Sequence, residues 1–447
     1  MTTPTEFGSA ALQYFPVPRW LQDYKNQAAA ILEKTPVPTE DQENWRYSDI
    51  GSFHLDNFKP SSGIVCTDDG WQPEFLSDDI SVVKVYNDIC VANTENSGQG
   101  GIQILNLSDH ADGIDWASID PRDLTLVKEA VRTHLSPKEG DSFFELLAKT
   151  FVKTPLLLYI PSGYQQELPI AVIHRLQNLS TDVSKVVTAE GDSLTGEAYF
   201  PSLTVVAGSG AKVKVLDILI SDEASYLVVP RTGLQAGEGA ELAYEQLQIL
   251  GDTSYHYGHQ YGFVAENGVI DSFSVSLGAH MSRTETSSVL AERGATSKLY
   301  SLYFATGNQI KDMRTYQDHL APHTKSELIF KGAVDDQARS VYTGLIHMAK
   351  GAVRSEASQT NRNLVLSEDA GADSVPNLSI EENDVKCSHA SAVGPIDKEL
   401  SFYLESKGIE PLVAEKLITL GFFQDLLDSA PMKELNEYIY NTIANKL

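Results

Sequence analysis

The fold class is decided by the stretch Leu203-Thr204-Val205-Val206-Ala207, Gly208-Ser209-Gly210 and Lys212-Val213-Lys214-Val215-Leu216. Two short runs of β-branched and apolar residues flank a glycine turn, which is typical of β-strands. Similar runs recur from about residue 155 to 380, at Tyr226-Leu227-Val228-Val229, Glu241-Leu242-Ala243-Tyr244 and Gly268-Val269-Ile270. The sequence therefore predicts a mainly β core, and its periodicity leaves a sandwich pair, a propeller and a β-helix open.

Helical patterns flank this core on both sides. Trp20 to Lys34 and about Pro121 to Thr154 carry apolar residues at helical spacing, while residues 81–92 predict a strand. After the core, Asp397 is a candidate N-cap, Gly408 is a candidate helix stop, and two amphipathic segments follow. We expect three units, namely a mostly helical N-terminal domain at 1–154, the β core at 155–380 and a helical C-terminal domain at 381–447.

The chain is strongly acidic. Its 447 residues carry a formal net charge of −27 at pH 7, and 42% of them are apolar. That apolar share is normal for a soluble globular protein, and the length favours two or three structural units. A field of this sign repels phosphate backbones and anionic lipid surfaces, so we expect neither nucleic acid nor membrane as a partner.

The cysteines are few and widely spaced: Cys66, Cys90 and Cys387. Their odd number does not make a disulfide framework and suits a reducing compartment. The N-terminus lacks a signal pattern and no stretch approaches about 18 consecutive apolar residues, so we expect a cytoplasmic protein. An iron–sulfur cluster normally takes four thiolates, or some histidine in their place, so any cluster here would be shared with another chain.

Cys387 and His389 form the strongest candidate site. They are two residues apart, so in an extended segment both side chains leave the same face. The spacing indicates a small site for metal or sulfur, with a buried cysteine and a hydrogen-bonded core histidine as the ordinary alternative. Glu381, Glu382 and Asp384 would add hard oxygen ligands for iron, or form a solvated turn.

Other motifs carry less chemistry. The sequence contains no Gly-x-x-x-x-Gly-Lys-Ser/Thr P-loop and no Gly-x-Ser-x-Gly nucleophile elbow. Gly208-Ser209-Gly210 and Gly237-Glu238-Gly239 lack the third glycine of a dinucleotide fingerprint and predict turns. Two histidine groups are weaker candidates for zinc than for ordinary hydrogen bonding: His256 with His259, and His319 with Asp318 and His323.

Several segments together resemble one family. They are Glu43-Asn44-Trp45-Arg46-Tyr47-Ser48-Asp49, Ser276-Leu277-Gly278-Ala279 with Arg283, Gly294-Ala295, Ser326-Glu327-Leu328-Ile329-Phe330-Lys331-Gly332, Ser340-Val341-Tyr342-Thr343-Gly344, Gln359-Thr360-Asn361-Arg362-Asn363-Leu364-Val365-Leu366-Ser367 and Asp384-Val385-Lys386-Cys387-Ser388-His389. In this order they cover most of the chain and resemble the SufD family, which supplies a subunit of the Suf iron–sulfur cluster assembly complex. Trp45-Arg46-Tyr47 would be a binding surface or an anchor of the N-terminal helices on the core.

The resemblance implies a fold and a division of labour. The core would be a right-handed parallel β-helix flanked by the two helical domains. The chain would not be an enzyme, because the SufC ATPase would hydrolyse ATP while this chain pairs through its β-helix with SufB and binds SufC through its C-terminal helices. The partner-binding residues expected in those helices are Phe402, Tyr403, Leu404, Gly421 and Phe422.

The resemblance also implies a role for Cys387 and His389 at the SufB interface. There they would hold iron or a nascent cluster transiently, with no cofactor bound tightly by this chain alone. A homodimer is a further option for the isolated chain. Two alternatives stay open: a SufB-like primary scaffold, which would tend to carry more cysteines, and an independent β-helix enzyme that acts on acidic polysaccharide.

Overall fold

α-Helices lie towards both ends of the chain, and strands fill the middle. The computed structural model describes residues 5–14, 17–48, 50–61, 70–93, 101–109, 116–177 and 196–447. The α-helices are α1 (Arg19–Leu32), α2 (Leu124–Leu135), α3 (Phe143–Phe151), α4 (Lys398–Ser406), α5 (Pro411–Ser429) and α6 (Asn436–Lys446). Short 3-10 helices lie at Thr5–Phe7, Ser9–Tyr14, Glu43–Trp45, Ile50–Ser52, Leu55–Asn57, Leu107–Asp109 and Trp116–Ser118.

Two long sheets make up the middle of the molecule. Their strands are β1 (Phe58–Pro60), β2 (Ser81–Tyr86), β3 (Ile89–Asn93), β4 (Gln103–Asn106), β5 (Pro155–Ile160), β6 (Ile170–Leu176), β7 (Gly196–Tyr199), β8 (Ser202–Ala207), β9 (Lys212–Ser221), β10 (Tyr226–Val228), β11 (Arg231–Ala236), β12 (Glu241–Ile249), β13 (Tyr255–Val264), β14 (Val269–Ser276), β15 (Met281–Leu290), β16 (Thr296–Ala305), β17 (Ile310–His319), β18 (Lys325–Val334), β19 (Arg339–Met348), β20 (Glu356–Val365), β21 (Gly371–Ile380) and β22 (Lys386–Pro395). The first sheet has the order β21-β19-β17-β15-β13-β11-β8-β5-β4, with β1, β7 and β10 beside it. The second has the order β22-β20-β18-β16-β14-β12-β9-β6-β2-β3.

The chain winds between the two sheets. From β11 to β22, consecutive strands alternate between them, and each strand pairs in parallel with the strand one turn later. Met281 of β15 lies beside Ile310 of β17, which lies beside Arg339 of β19. Because parallel pairing that advances by one turn defines a solenoid, the prediction of a mainly β fold with a parallel β-helix core and flanking helices is confirmed. A sandwich or a propeller is built from antiparallel neighbours instead.

Glycine turns form corners between the strands. Gly210 (φ 68°) and Gly239 (φ 63°) adopt the left-handed conformation, which glycine reaches without steric cost. The Gly210 N–H donates to the Glu238 carbonyl (2.8 Å), and the Gly239 N–H donates to the Glu266 carbonyl (2.9 Å). Each corner is thus hydrogen-bonded to the next turn, and the interpretation of both glycine motifs as turns is confirmed.

The interior of the β-helix changes from apolar to polar along its axis. One column of the second sheet, with one residue per turn, reads Val213, Leu242, Ile270, Ser297, Ser326, Ala357 and Cys387. Ser297 accepts a hydrogen bond from Ser288 of the first sheet (2.7 Å), and Ser326 bonds to His319 of the first sheet (2.8 Å). These bonds span the interior, so the whole column faces inward.

Trp45 anchors the N-terminal segment on the β-helix. Its indole is buried and lies 5.6 Å from the Phe144 ring and 6.0 Å from the Tyr257 ring, centroid to centroid. The Arg283 guanidinium lies 3.6 Å from the indole centroid and donates to the Asn44 carbonyl (2.8 Å). For Trp45 the geometry is that of an anchor, since stacking and cation–π contacts bury the ring.

Helices α5 and α6 cover the outer face of the second sheet. Phe423 and Leu426 of α5 and Ile439 of α6 share one apolar cluster with Phe273 and Leu302 of the sheet. Because burial of apolar surface stabilises by about 25 cal/mol per Å², these contacts hold α5 and α6 against the side of the β-helix. Helix α4, in contrast, carries no buried residue.

Candidate functional site

Cys387 and His389 lie on the last strand of the β-helix. In β22, Cys387 pairs with Ala357 and His389 pairs with Gln359 of β20. Cys387 ends the inward-facing column, and His389, two residues later, belongs to the same face of the strand. The structure therefore brings both side chains to the inner face of one extended strand.

This strand belongs to an open end of the β-helix. β21 and β22 are the outermost strands of their sheets, and no strand within the described ranges pairs with their outer edges. Cys387 packs beside Ile346, Met348 and Ala357 and is half-buried, whereas His389 is exposed. In earlier turns the next strand covers this column, so the end of the solenoid is what opens it to a docking molecule.

Burial controls the protonation of Cys387. Desolvation raises the pKa of its thiol above the ordinary value. The thiolate, and not the thiol, is the nucleophile and the metal ligand. A raised pKa keeps the thiol protonated near neutral pH until a metal ion or another positive charge favours the thiolate.

A surface groove of about 590 Å³ gives solvent access to Cys387. Its walls carry basic and acidic side chains together, including Lys325, Lys386, Glu327 and Glu356. Lys386 pairs with Glu356 at 2.7 Å. Charged side chains of both signs therefore flank the entrance to Cys387.

The acidic residues before β22 form a solvated turn. The Glu382 carboxylate accepts hydrogen bonds from the N–H groups of Gly351 (3.1 Å) and Asn383 (2.8 Å). Asp384 lies 3.7 Å from a side-chain nitrogen of Arg354. No group of three or more His, Cys, Asp and Glu side chains in the described part of the chain is arranged to hold a metal ion. Any metal centre built on Cys387 would need ligands from outside these residues.

The other histidines and cysteines that the sequence singled out lie elsewhere. His256 and His319 are buried and bond to serine hydroxyls at 3.0 and 2.8 Å. Desolvation lowers the pKa of His256 to about 3 and that of His319 to about 4, so both stay neutral. Cys90, on β3, is half-buried with its pKa raised to about 11, and Cys66 lies outside the described residues.

The C-terminal helices present an exposed apolar surface. On α4, Phe402 is 71% exposed, Tyr403 is exposed and Leu404 is half-buried. At the start of α5, Leu412 is 80% exposed, although the sequence pattern did not predict it as a binding residue. Its only sequence signal is the preceding Pro411, which marks the first turn of a helix.

The two predicted partner-binding residues further along α5 differ from each other. Gly421 is exposed, whereas Phe422 is half-buried against the core. The Lys331 ammonium donates to the Phe422 carbonyl (2.7 Å) and lies 4.8 Å from the ring centroid. Phe422 thus fastens α5 to β18, and its role in partner binding stays a prediction.

Comparison with protein families gives a match that includes the site. Residues 187–422 match the model described as SUF system FeS cluster assembly, SufBD core domain. This range holds most of the β-helix, both site residues, α4 and the first half of α5. Separately, no helix among the described residues is long and apolar enough to cross a membrane.

Individual relatives extend the similarity to most of the chain. The iron-sulfur cluster assembly protein SufD of Escherichia coli is 25% identical over 417 residues, which cover 93% of this chain and 90% of the relative. The protein of the same name from Bacillus subtilis is 23% identical over 453 residues, covering 96% and 94%. An iron-sulfur cluster assembly SufBD family protein of Mycobacterium tuberculosis is 29% identical over 280 residues, covering 59% and 69%.

Proposed function

The chain belongs to the SufBD family of the SUF iron–sulfur cluster assembly system, whose core model matches residues 187–422, and from this membership we propose that it is a non-ATPase scaffold subunit of a Suf complex. In this role it pairs with SufB through the β-helix, binds SufC through its C-terminal helices and helps to capture iron and sulfur at the SufB interface in the cytoplasm. The observation that carries the proposal is the location of Cys387 and His389 at the open end of the β-helix.

The open end has the properties of a strand-pairing surface. The outer edges of β21 and β22 have no strand partner within the described residues. Val375, Leu378 and Ile380 of β21 and Val393 of β22 are exposed apolar side chains there. An unpaired edge with apolar side chains is a template for strand addition, so it suits a second β-helix.

The chemistry of the two side chains suits iron and sulfur as cargo. A neutral histidine binds iron through a ring nitrogen, and a cysteine thiolate binds iron or attacks the outer sulfur of a donor persulfide, whose own thiolate leaves. Within this chain Cys387 and His389 are too few for a complete cluster. Iron or a nascent cluster is therefore held transiently and shared with SufB.

The C-terminal helices suit an ATPase partner. Phe402, Tyr403 and Leu412 expose apolar surface on α4 and at the start of α5, away from the half of α5 that packs on the sheet. The sequence has no P-loop, and the proposal therefore places ATP hydrolysis in SufC. Movement of SufC would reach the β-helix interface through α5.

Two relatives favour a SufD-like role over a SufB-like one. The proteins named SufD from Escherichia coli and Bacillus subtilis match 93% and 96% of this chain. Family membership leaves the independent polysaccharide enzyme without support. That alternative would return if the chain purified alone and active on a sugar polymer.

Co-expression with SufB and SufC from the same source tests the proposal. The wild-type chain is expected to elute from size exclusion in a mixed complex that carries iron and sulfide. Cys387→Ala and His389→Ala are expected to keep the complex and lose most of the iron and sulfide. Cys90→Ala is the matched control, because Cys90 is also half-buried but lies on another strand.

The SufC surface is tested by the double substitution Phe402→Ser and Leu412→Ser. It is expected to release SufC and to retain SufB. Truncation after Asp397 is less informative, because it uncovers the apolar face beneath α5 and α6. A chain that elutes alone would overturn the scaffold proposal, and normal cluster maturation in both alanine variants would overturn the site.

A further inference from the structure

Gln359 is a buried amide directly beneath the candidate site. It lies on β20 beside His389, and its side chain is 1% exposed. Neither its amide oxygen nor its amide nitrogen has a hydrogen-bond partner within the described residues. The next inward amides on the strand are satisfied, since Asn361 donates to the Tyr303 hydroxyl (3.1 Å) and Asn363 donates to the Asn361 oxygen (2.8 Å).

A glycine on the opposite sheet leaves room for this amide in the interior of the β-helix. A Cβ atom at Gly344 of β19 would come within 2.3 Å of Gln359 Nε2 and 2.4 Å of the Tyr342 hydroxyl. Gly344 does not have a positive φ, so its missing side chain provides space and not backbone freedom. Ser374 of β21 pairs with Tyr342, and its hydroxyl is likewise buried without a partner in the described structure. The polar floor under the open end therefore consists of Gln359 and Tyr342, which lie close together beside Gly344, and of Ser374 on the strand that pairs with Tyr342.

The unpaired amide has an energetic cost that a ligand could remove. A buried polar group without a hydrogen bond costs about 1–3 kcal/mol. Such groups are rare in native proteins, and violations of this kind concentrate at functional sites. Amide donors also suit the cargo, because hydrogen bonds to sulfur tune iron–sulfur centres.

We propose that Gln359 is a third residue of the Cys387–His389 site and that its amide N–H donates a hydrogen bond to an anionic sulfur species, sulfide or persulfide, held there. The inference rests on the proposed function and extends it from two residues to three. The polar floor meets the cargo from inside the β-helix, while Cys387 and His389 bind it from β22.

The test compares two buried glutamines. Gln317 of β17 is also 1% exposed, and neither of its amide atoms has a partner among the described residues. It pairs with Ile346 and not with a site residue, so Gln317→Leu is the matched control for Gln359→Leu. Because leucine removes an unsatisfied amide, neither variant is expected to lower the melting temperature.

Iron and acid-labile sulfide are measured in the complex co-expressed with SufB and SufC. Gln359→Leu is expected to lower both roughly tenfold, in the range seen for groups that support metal ligands, and Gln317→Leu to leave them unchanged. Should Gln359→Leu fail to fold, Gln359→Asn replaces it, because its amide is one methylene closer to the β20 backbone and no longer reaches the sulfur species, so the same loss is expected.

The outcomes separate the two proposals. Normal loading in the Gln359 variant, with loss in Cys387→Ala and His389→Ala, overturns the role of Gln359 and leaves the proposed function in place. Equal losses of iron and sulfide in the Gln359 and Gln317 variants would indicate a general effect on the interior of the β-helix. They would also overturn the proposed role of Gln359. Normal iron and sulfide content in the Cys387, His389 and Gln359 variants overturns the assignment of the site itself.

Discussion

His319 demonstrates how the β-helix interior determines the charge of a single residue. Its ring nitrogens bond to the hydroxyls of Thr324 (2.7 Å) and Ser326 (2.8 Å), and the side chain is fully buried. Desolvation, with a smaller contribution from the charge of His347, lowers its pKa from 6.5 to about 4. The folded protein therefore resists protonation of a group that the unfolded chain protonates readily.

We expect the free energy of unfolding to fall between pH 6.5 and pH 4 because of this residue. The folded pKa lies below the unfolded one, so the stability is complete above pH 6.5 and decreases as the unfolded state takes up the proton, by about 1.4 kcal/mol per pH unit. Urea unfolding of His319→Gln at pH 7, 6 and 5 should show a shallower pH slope, with a difference that approaches that amount between pH 6 and pH 5. Identical slopes in variant and wild type would contradict the assignment.

At the scale of elements, Lys331 holds α5 against β18. Its buried ammonium donates to the Phe422 carbonyl (2.7 Å) and pairs with Asp425. Lys331→Met keeps the apolar stem but removes these bonds, and a hydrogen bond to a charged group contributes about 1.5–3 kcal/mol. Hydrogen exchange in α5 and α6 should accelerate accordingly.

Lys298→Met is the control, because Lys298 makes a partly exposed ion pair with Asp271 on the same sheet and its loss should change exchange little. Unchanged hydrogen-exchange protection of α5 in Lys331→Met would contradict the role of Lys331 in holding α5 on the sheet.

At the scale of the whole molecule, the proposed pairing with SufB would use the outer edge of β22, which has no strand partner within the described residues. The Lys386 N–H donates to Ser355 at the start of β20, so alternate residues from Lys386 onward direct their N–H groups to β20 and the residues between them direct theirs to the free edge. Ser391→Pro therefore removes an outward donor, whereas Ala392→Pro removes an internal bond.

We expect Ser391→Pro to retain the folded chain and to weaken pairing with SufB by roughly fivefold to tenfold, the value of one lost hydrogen bond. Ala392→Pro should instead lower the melting temperature of the isolated chain. Size exclusion with SufB and thermal unfolding measure the two effects. Undiminished pairing of Ser391→Pro would mean that the edge of β22 is not the interface.

Local patterns in the sequence were sufficient for part of this structure. Glycine turns between β-branched runs predicted the strands, and the two-residue spacing of Cys387 and His389 placed them on one face, because side-chain alternation is a local property. Residues 81–92 were predicted as one strand, whereas they form the hairpin of β2 and β3. Asn87 (φ 49°) and Asp88 (φ 64°) turn the chain there, and both residue types tolerate this conformation.

The sequence by itself determined the strand content, the shared face of Cys387 and His389 and the resemblance to a family. The tertiary structure decided that the strands stack as a β-helix, that the shared face is the inner one and that its last turn is open. It also separated exposed Phe402 from half-buried Phe422 and brought Gln359 beneath the site. Periodicity specifies which side chains share a face, but the face that becomes buried depends on pairing between strands that lie one turn apart in the chain.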